Sequence, residues 1–320
     1  MEKRILLSIC IPTYNRGYIL KEILDKYVKN KEFDDEVEII ISDNCSSDDT
    51  ETICRKYSKQ HLNIHYYRNN ENVNDANFYI VLDHGKGYYL KLLNDWSYYD
   101  EGSLRYVKEV IRENVDNQES IFFTDKLLFT KRGKGEVIYC NTLDEYVQTV
   151  STFVTSNNVF GVWRKQWEKI EERGKYTNLK LQQEDWSYQL AVNGSIIYNK
   201  KLLKVSKIKR KLLGGYNWFD IHLDNYYKIM MPYVNRGLIC DKTLMKDKHY
   251  LLEHFKAEMC YTYFYNFTKR WRFETKGTSK LIRKYYRGDP YLLYYFLKLP
   301  LYYPYLFVKY LVKSLLGIGV

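Results

Sequence analysis

A chain of 320 residues with 45% hydrophobic and 28% charged side chains is a core-forming globular protein of one large domain or two modest ones. The net charge of +11 is uneven, since residues 201–320 hold about 23 of the 50 basic side chains but only about 8 of the 39 acidic ones. Six scattered cysteines (Cys10, Cys45, Cys54, Cys140, Cys240, Cys260) without C-x-x-C spacing exclude a zinc framework and read as free thiols of a reducing compartment.

The N-terminal apolar run is too short for a signal sequence, and no stretch reaches the roughly 18 uninterrupted apolar residues of a membrane span. Ile5–Ile11 is short and apolar and ends at Pro12, which predicts a buried strand. Gly17–Lys29 carries Ile19, Leu20, Ile23, Leu24 and Val28 at helical spacing. Val37–Ser42 is a second buried strand, and the polar DNCSSDDT at Asp43–Thr50 leads into a short helix at Thr52–Tyr57. Ile64–Tyr67 is a third strand, Asn69–Asn74 a loop and Asn77–Leu82 a helix. Tyr88–Leu93 is the next strand, giving way at Asn94 and Asp95 to polar residues and then to a helix at Leu104–Ile111.

Further strands are expected at Ile121–Thr124 and Glu136–Cys140, the latter after a basic turn at Lys131–Lys134. Thr152–Trp163 has the small polar and apolar residues of a pocket wall; Glu184–Val192 reads as a helix and Ser195–Leu203 as a strand behind it. Alternating strands and helices with short links imply an α/β domain with a mostly parallel sheet, flanked by helices, over residues 1–205. Residues 206–320 form a basic, aromatic-rich extension, with a basic run at Lys207–Lys211 and helical spacing in Trp218–Val234 and His249–Phe267. Its end, 290–320, is the most apolar part, interrupted by Lys298, Lys309 and Lys313 and expected to be broken into short pieces by Pro300 and Pro304.

Ligands of an open α/β sheet bind beyond the carboxyl ends of the strands. Three motifs stand there. IPTYNR (Ile11–Arg16) leaves the first strand directly into a turn, where it either caps the next helix or faces a nucleotide. SDNCSSDDT (Ser42–Thr50) places Asp43 at a strand end, where it can accept from a base N–H, while Asp48 and Asp49 match a helix N-terminus. The fourth strand ends at Asp95. The histidines are spaced as packing or surface residues.

Together these motifs and their spacing resemble the family 2 glycosyltransferases, over roughly residues 5–205. The resemblance implies a GT-A fold with a helical C-terminal extension, and an inverting transfer from a nucleotide-diphosphate sugar, in this family usually a UDP-sugar. It implies donor contacts by Pro12, Thr13, Tyr14, Asn15, Arg16, Asp43, Asn94 and Asp95. It makes Asp95 the first acid of a D-x-D motif whose last acid here falls on Ser97. A divalent cation, Mg²⁺ or Mn²⁺, neutralises the leaving diphosphate in such enzymes. Three outcomes follow for this chain: Asp95 alone helps to hold the metal, which is the expectation adopted; Asp100 substitutes; or basic residues, Arg16 and Lys86 being nearest in sequence, replace it. QQEDWSYQL (Gln182–Leu190) supplies the family's E-D pair, which implies Asp185 as general base and Glu184 as its neighbour.

The implied partners are a nucleotide sugar and a glycan or lipid-linked saccharide acceptor of a bacterial surface-polysaccharide pathway. Aromatic, leucine-rich segments with interspersed lysines suit the interface of an anionic membrane, so a peripheral location on the inner face of the cell membrane is expected. Two other classes remain as alternatives. One is a catalytically inactive nucleotide-sugar-binding protein, suggested by Ser97. The other is a nucleic-acid binder, disfavoured because no recognition motif accompanies the basic charge.

Overall fold

The computed structural model describes residues 5–124, 136–208, 214–264 and 272–315. The basic turn at Lys131–Lys134, and parts of Lys207–Lys211 and His249–Phe267, lie outside the described residues. The chain divides into two compact units, residues 1–209 and 210–320.

The first unit opens with strand–helix repeats: β1 (Leu7–Thr13) and α1 (Gly17–Lys29), β2 (Val37–Asp43) and α2 (Thr50–Gln60), β3 (Ile64–Arg68) and α3 (Asn77–Asp83). β4 (Tyr89–Leu92), β5 (Ser97–Tyr99), α4 (Ser103–Asn114), β6 (Ile121–Thr124), β7 (Val137–Cys140) and α5 (Leu143–Val150) follow. β8 (Gly161–Trp163), α6 (Arg164–Trp167), α7 (Gln182–Ala191), β9 (Ser195–Asn199) and β10 (Leu203–Val205) complete it. The main sheet has the order β3-β2-β1-β4-β8, parallel except for the antiparallel edge strand β8. A smaller sheet, β6-β9-β7, lies beside it in sequence, with β6 and β9 parallel and β7 antiparallel.

Helices on both faces of a parallel sheet require strands that are apolar on both sides, and strand residues alternate between the faces. Leu7, Ile9 and Ile11 of β1 enter one core and Cys10 the other. Ile39 and Ile41 oppose Ile40 in the same way, and Tyr89 and Leu93 oppose Leu90 and Leu92. Burial of each such side chain contributes about 1.5–3 kcal/mol. That offsets the two charged residues the sheet also buries, Glu38 and Lys91, provided both are hydrogen-bonded. Glu38 Oε1 accepts from Ser8 Oγ at 2.6 Å and from the Lys86 N–H at 2.7 Å. Lys91 Nζ donates to the carbonyls of Asn158 at 2.6 Å and Phe160 at 2.7 Å.

Two expectations about this unit change. The stretch after Asp95 is not a plain helix entrance, because Ser97–Tyr99 forms β5. The expected strand Ser195–Leu203 divides into β9, which joins the small sheet, and β10, which pairs antiparallel with β5.

The second unit contains β11 (Gly214–Asn217), a π-helical turn at Asp220–Asn225, α8 (Tyr226–Asn235), α9 (Asp241–His254) and α10 (Lys256–Tyr263). β12 (Arg272–Glu274), which pairs parallel with β11, α11 (Thr278–Tyr286) and α12 (Pro290–Leu315) follow. The helical character expected here is present, but Pro300 and Pro304 do not break the final segment: α12 runs for 26 residues through both. Each proline removes one backbone bond to the residue four before it. Both prolines lie on the exposed side, where water can take the freed carbonyls, while Tyr295, Leu299 and Leu306 anchor the opposite stripe. Among the described residues no helix is long and apolar enough to cross a membrane.

Candidate active site

β1, β2 and β4 run parallel, so their carboxyl ends share one rim of the sheet. Two of the sequence motifs meet there by direct contact. Thr13 Oγ1, at the end of β1, donates to Asp95 Oδ2 at 2.9 Å, and Arg16 Nη1 donates to Asp95 Oδ1 at 2.8 Å. The guanidinium of Arg16 lies over the Trp96 ring, 4.8 Å from its centroid. Pro12 is half-buried beside them, and Tyr14, 44% exposed, presents its ring to solvent.

The next residues knit the first motif to the second. Asn15 adopts a left-handed backbone with φ of 52°, which asparagine tolerates better than most residues. Its N–H donates to Ser46 Oγ at 2.8 Å and its Oδ1 accepts the Ser47 N–H at 2.7 Å. Asp48 accepts from the N–H groups of Thr50 and Gly17. A Cβ on Gly17 would lie 2.8 Å from the Thr50 nitrogen, so only glycine lets the starts of α1 and α2 approach this closely.

Asp43, expected to face the donor's base, is fully buried. Its Oδ1 accepts the Ser46 N–H at 2.9 Å, and its Oδ2 accepts Tyr66 Oη at 2.7 Å and Arg68 Nη1 at 2.9 Å. Burial and this carboxylate push the Tyr66 hydroxyl well above its usual range. The carboxylate is thus enclosed by protein donors and holds the loop rather than lying on the surface.

Around Asp95 a set of asparagines does similar work. The Asn94 N–H donates to Asn158 Oδ1 at 2.9 Å, and Asn157 Nδ2 donates to Asn94 Oδ1 at 3.3 Å. Asn158 Nδ2 donates to Ser97 Oγ at 3.0 Å, and Ser97 is fully buried. Lys91, whose ammonium burial pushes down to about 7, grips the Asn158 carbonyl from below. Of the three alternatives to a metal held by Asp95 alone, Asp100 and Lys86 lie away from this site. Lys86 precedes β4 and its N–H binds Glu38 near the start of β2, so it sits at the amino-terminal edge of the sheet. Asp100 lies beyond the far end of β5, where it pairs with Lys204 at 3.4 Å.

The QQEDWSYQL motif opens α7, whose first residues bond to segments beside this rim. Gln182 Nε2 donates to the Asp75 carbonyl at 2.5 Å, and Gln183 Nε2 to the Thr155 carbonyl at 2.6 Å. Asp75 follows the loop that Asn44, from the end of β2, holds through Asn72 Oδ1 and the Asn74 carbonyl. Glu184 is fully buried and Asp185 nearly so, with Gln189 Nε2 on Asp185 Oδ2 at 2.7 Å. Burial, and after it the charge of Asp185, raises the Tyr176 hydroxyl above its usual range. Sequence reasoning missed Asn44 and Arg68, and held Asn157 and Asn158 only as part of the pocket wall Thr152–Trp163. The signal available for the latter two was the pair of adjacent asparagines.

The residues present do not fit a divalent cation at Asp95. Both of its oxygens carry protein donors, Ser97 is committed to Asn158, and among the described residues no group of three or more His, Cys, Asp or Glu side chains is arranged to hold a metal.

Residues 8–125 match the profile of Glycosyl transferase family 2. The match covers less than half of the chain, and over it the chain is similar to that family. The matched segment runs from within β1 to the end of β6 and holds the three strand-end motifs, but not QQEDWSYQL. Abequosyltransferase RfbV of Salmonella typhimurium is 31% identical over 123 residues, 38% of this chain and 36% of the relative. The GalNAc(5)-diNAcBac-PP-undecaprenol beta-1,3-glucosyltransferase of Campylobacter jejuni is 34% identical over 96 residues, 28% of this chain and 29% of the relative. The chain thus spans about a third of the length of the curated relatives it matches. Among solved structures, TarS 1–349 of S. aureus is similar with a TM-score of 0.54 at 15% identity, covering 82% of this chain and 76% of that one. The likeness supports the GT-A fold expected from the motifs.

Proposed function

We propose that the protein is an inverting glycosyltransferase that transfers a sugar from a nucleotide-diphosphate sugar, taken to be a UDP-sugar, to a hydroxyl of a glycan or lipid-linked saccharide. The observation that carries this is the meeting of Thr13, Arg16 and Asp95 at the ends of β1 and β4, on a rim beside which lie the segments bonded to the start of α7, the helix of Glu184 and Asp185. The exposed Tyr14 ring is a platform for a base. The choice of UDP is supported by two structures of TarS, one with UDP and one with UDP-GlcNAc. The acceptor class is supported by the undecaprenol-linked substrate in the name of the Campylobacter relative.

Inversion is a single displacement. The acceptor oxygen must lose its proton as it attacks the sugar, and a carboxylate within hydrogen-bond reach takes it. Asp185 has that role in this reading, with Gln189 holding one carboxylate oxygen so that the other is directed. Asp185→Asn lowers transfer by about 10²–10⁴-fold while nucleotide binding, read by thermal shift, persists. A variant that keeps more than about a tenth of the rate overturns the assignment.

Membrane association belongs to the same reading. α12 carries no acidic side chain, and Leu293, Leu297, Leu301, Val308, Val312 and Leu315 are exposed along it. With Lys298, Lys309 and Lys313 this suits an anionic bilayer interface on the cytoplasmic side.

A second reading, a nucleotide-sugar-binding protein without turnover, is favoured by one observation, the burial of Ser97 where the last acid of the motif would stand. Formation of glycosylated acceptor or free sugar from a UDP-sugar decides against it.

A further inference from the structure

Two of the three positions of the D-x-D motif serve an arginine, and the third does not contact it. Asp95 accepts from Arg16 at 2.8 Å, Trp96 stacks under its guanidinium at 4.8 Å, and Ser97 is turned onto Asn158. We propose that the Arg16 guanidinium faces the donor's diphosphate in place of a divalent cation. This rests on the glycosyltransferase reading and specifies how its leaving group is stabilised.

Exposure decides which charge a ligand meets. The Arg16 side chain keeps 29% of its surface accessible, against 4% for Asp95. The approaching diphosphate therefore encounters the cation of the pair and not the carboxylate. A guanidinium has five N–H donors in a rigid fork, and Asp95 takes only part of that fork, at Nη1. Thr13 fixes the other oxygen of Asp95, and the indole fixes the guanidinium plane, so the remaining donors are held in position before a ligand arrives. Arg16 is also the N-cap residue of the 13-residue α1, whose N-terminal partial positive charge adds to its own.

During transfer the acceptor oxygen bonds to the sugar C1 as the bond from C1 to the β-phosphate oxygen breaks. Both electrons of that bond leave with the nucleoside diphosphate, and the acceptor proton passes to Asp185. The diphosphate gains one negative charge, which the guanidinium meets with N–H donors. It stays protonated throughout, because arginine does not titrate in this range, so no further proton has to move.

The test is isothermal titration of the full chain with UDP, and in parallel GDP and dTDP, in EDTA and in excess Mn²⁺, with the matching nucleosides as controls. The expected result is a diphosphate affinity that agrees within about two-fold between the two buffers. Arg16→Gln then weakens the diphosphate by about ten- to a hundred-fold and leaves the nucleoside unchanged, and Arg16→Lys restores part of the loss. Thermal unfolding of each variant is recorded first, and if Arg16→Gln does not fold the comparison rests on Arg16→Lys and on the two buffers. Binding that requires Mn²⁺, unchanged diphosphate binding in Arg16→Gln, or equal loss for nucleoside and diphosphate overturns the proposal while leaving the glycosyltransferase reading intact. No binding of any diphosphate in either buffer overturns both.

Discussion

Asp43 and Arg68 are register partners on adjacent strands, and Arg68 Nη1 donates to Asp43 Oδ2 at 2.9 Å across the ends of β2 and β3. The carboxylate is fully buried, whereas the guanidinium keeps 27% of its side-chain surface. Loss of the two partners therefore differs in consequence. Asp43→Ala leaves the Ser46 N–H and the Tyr66 hydroxyl without their acceptor and Arg68 with Glu51 as its remaining carboxylate, while Arg68→Gln leaves the Asp43 carboxylate with two donors. Both lower the urea midpoint, and Asp43→Ala lowers it more. Equal midpoints for the two variants contradict the asymmetry.

Lys91 titrates in an accessible range. Burial lowers its ammonium from 10.5 to about 7 in the folded chain. Between these values the unfolded chain binds the proton and the folded chain does not, so this group makes stability rise with pH from about 7 towards 10. The slope is at most about 1.4 kcal/mol per pH unit. Lys91→Met removes the slope, and it also takes the ammonium donor from the Asn158 carbonyl and leaves the Phe160 carbonyl with the Leu92 N–H, so turnover falls with it. Urea unfolding of both proteins across that range reads the difference, and parallel pH curves refute it.

Restoring the missing acid does not restore a metal site. Ser97 is fully buried and bonded to Asn158, so Ser97→Asp forces a carboxylate into a closed pocket. A cost of about 2 kcal/mol or more is expected, seen as a lower melting temperature, with no gain of Mn²⁺ dependence. A variant that becomes Mn²⁺-dependent at wild-type stability refutes this.

The exposed face of α12 gives a separate check. Leu297→Glu with Leu301→Glu changes two side chains that are 67% and 78% exposed, so the melting temperature stays within a few degrees. Sedimentation with phosphatidylserine vesicles falls, because the variant loses apolar area and gains negative charge. Removal of residues 290–320 abolishes it. Undiminished sedimentation in either variant excludes α12 as the membrane contact.

Much of the first unit was legible because local pattern and tertiary need coincide. Runs such as Ile5–Ile11 and Val37–Ser42 are apolar on both faces, and only a covered parallel strand satisfies that. β5 was not legible, since three residues with no alternation carry no period and the strand exists through its pairing with β10. The continuity of α12 was hidden for a different reason. Proline signals a break locally, and packing of Tyr295, Leu299 and Leu306 outweighs that signal.

The sequence by itself determined the α/β architecture and the three strand-end motifs, because both follow from periodicity and from residues next to one another in the chain. Only the tertiary structure decided what those residues do to each other. Thr13 and Asp95 are 82 positions apart, and Ser97 and Asn158 are 61 apart. Whether a carboxylate is open to a base N–H, as expected for Asp43, or is filled by Arg68 and Tyr66 depends on which distant donors the fold brings within 3 Å. Hydrogen bonds act over that distance alone, so the partnership of Arg16 with Asp95 could be known only once β1 and β4 were side by side.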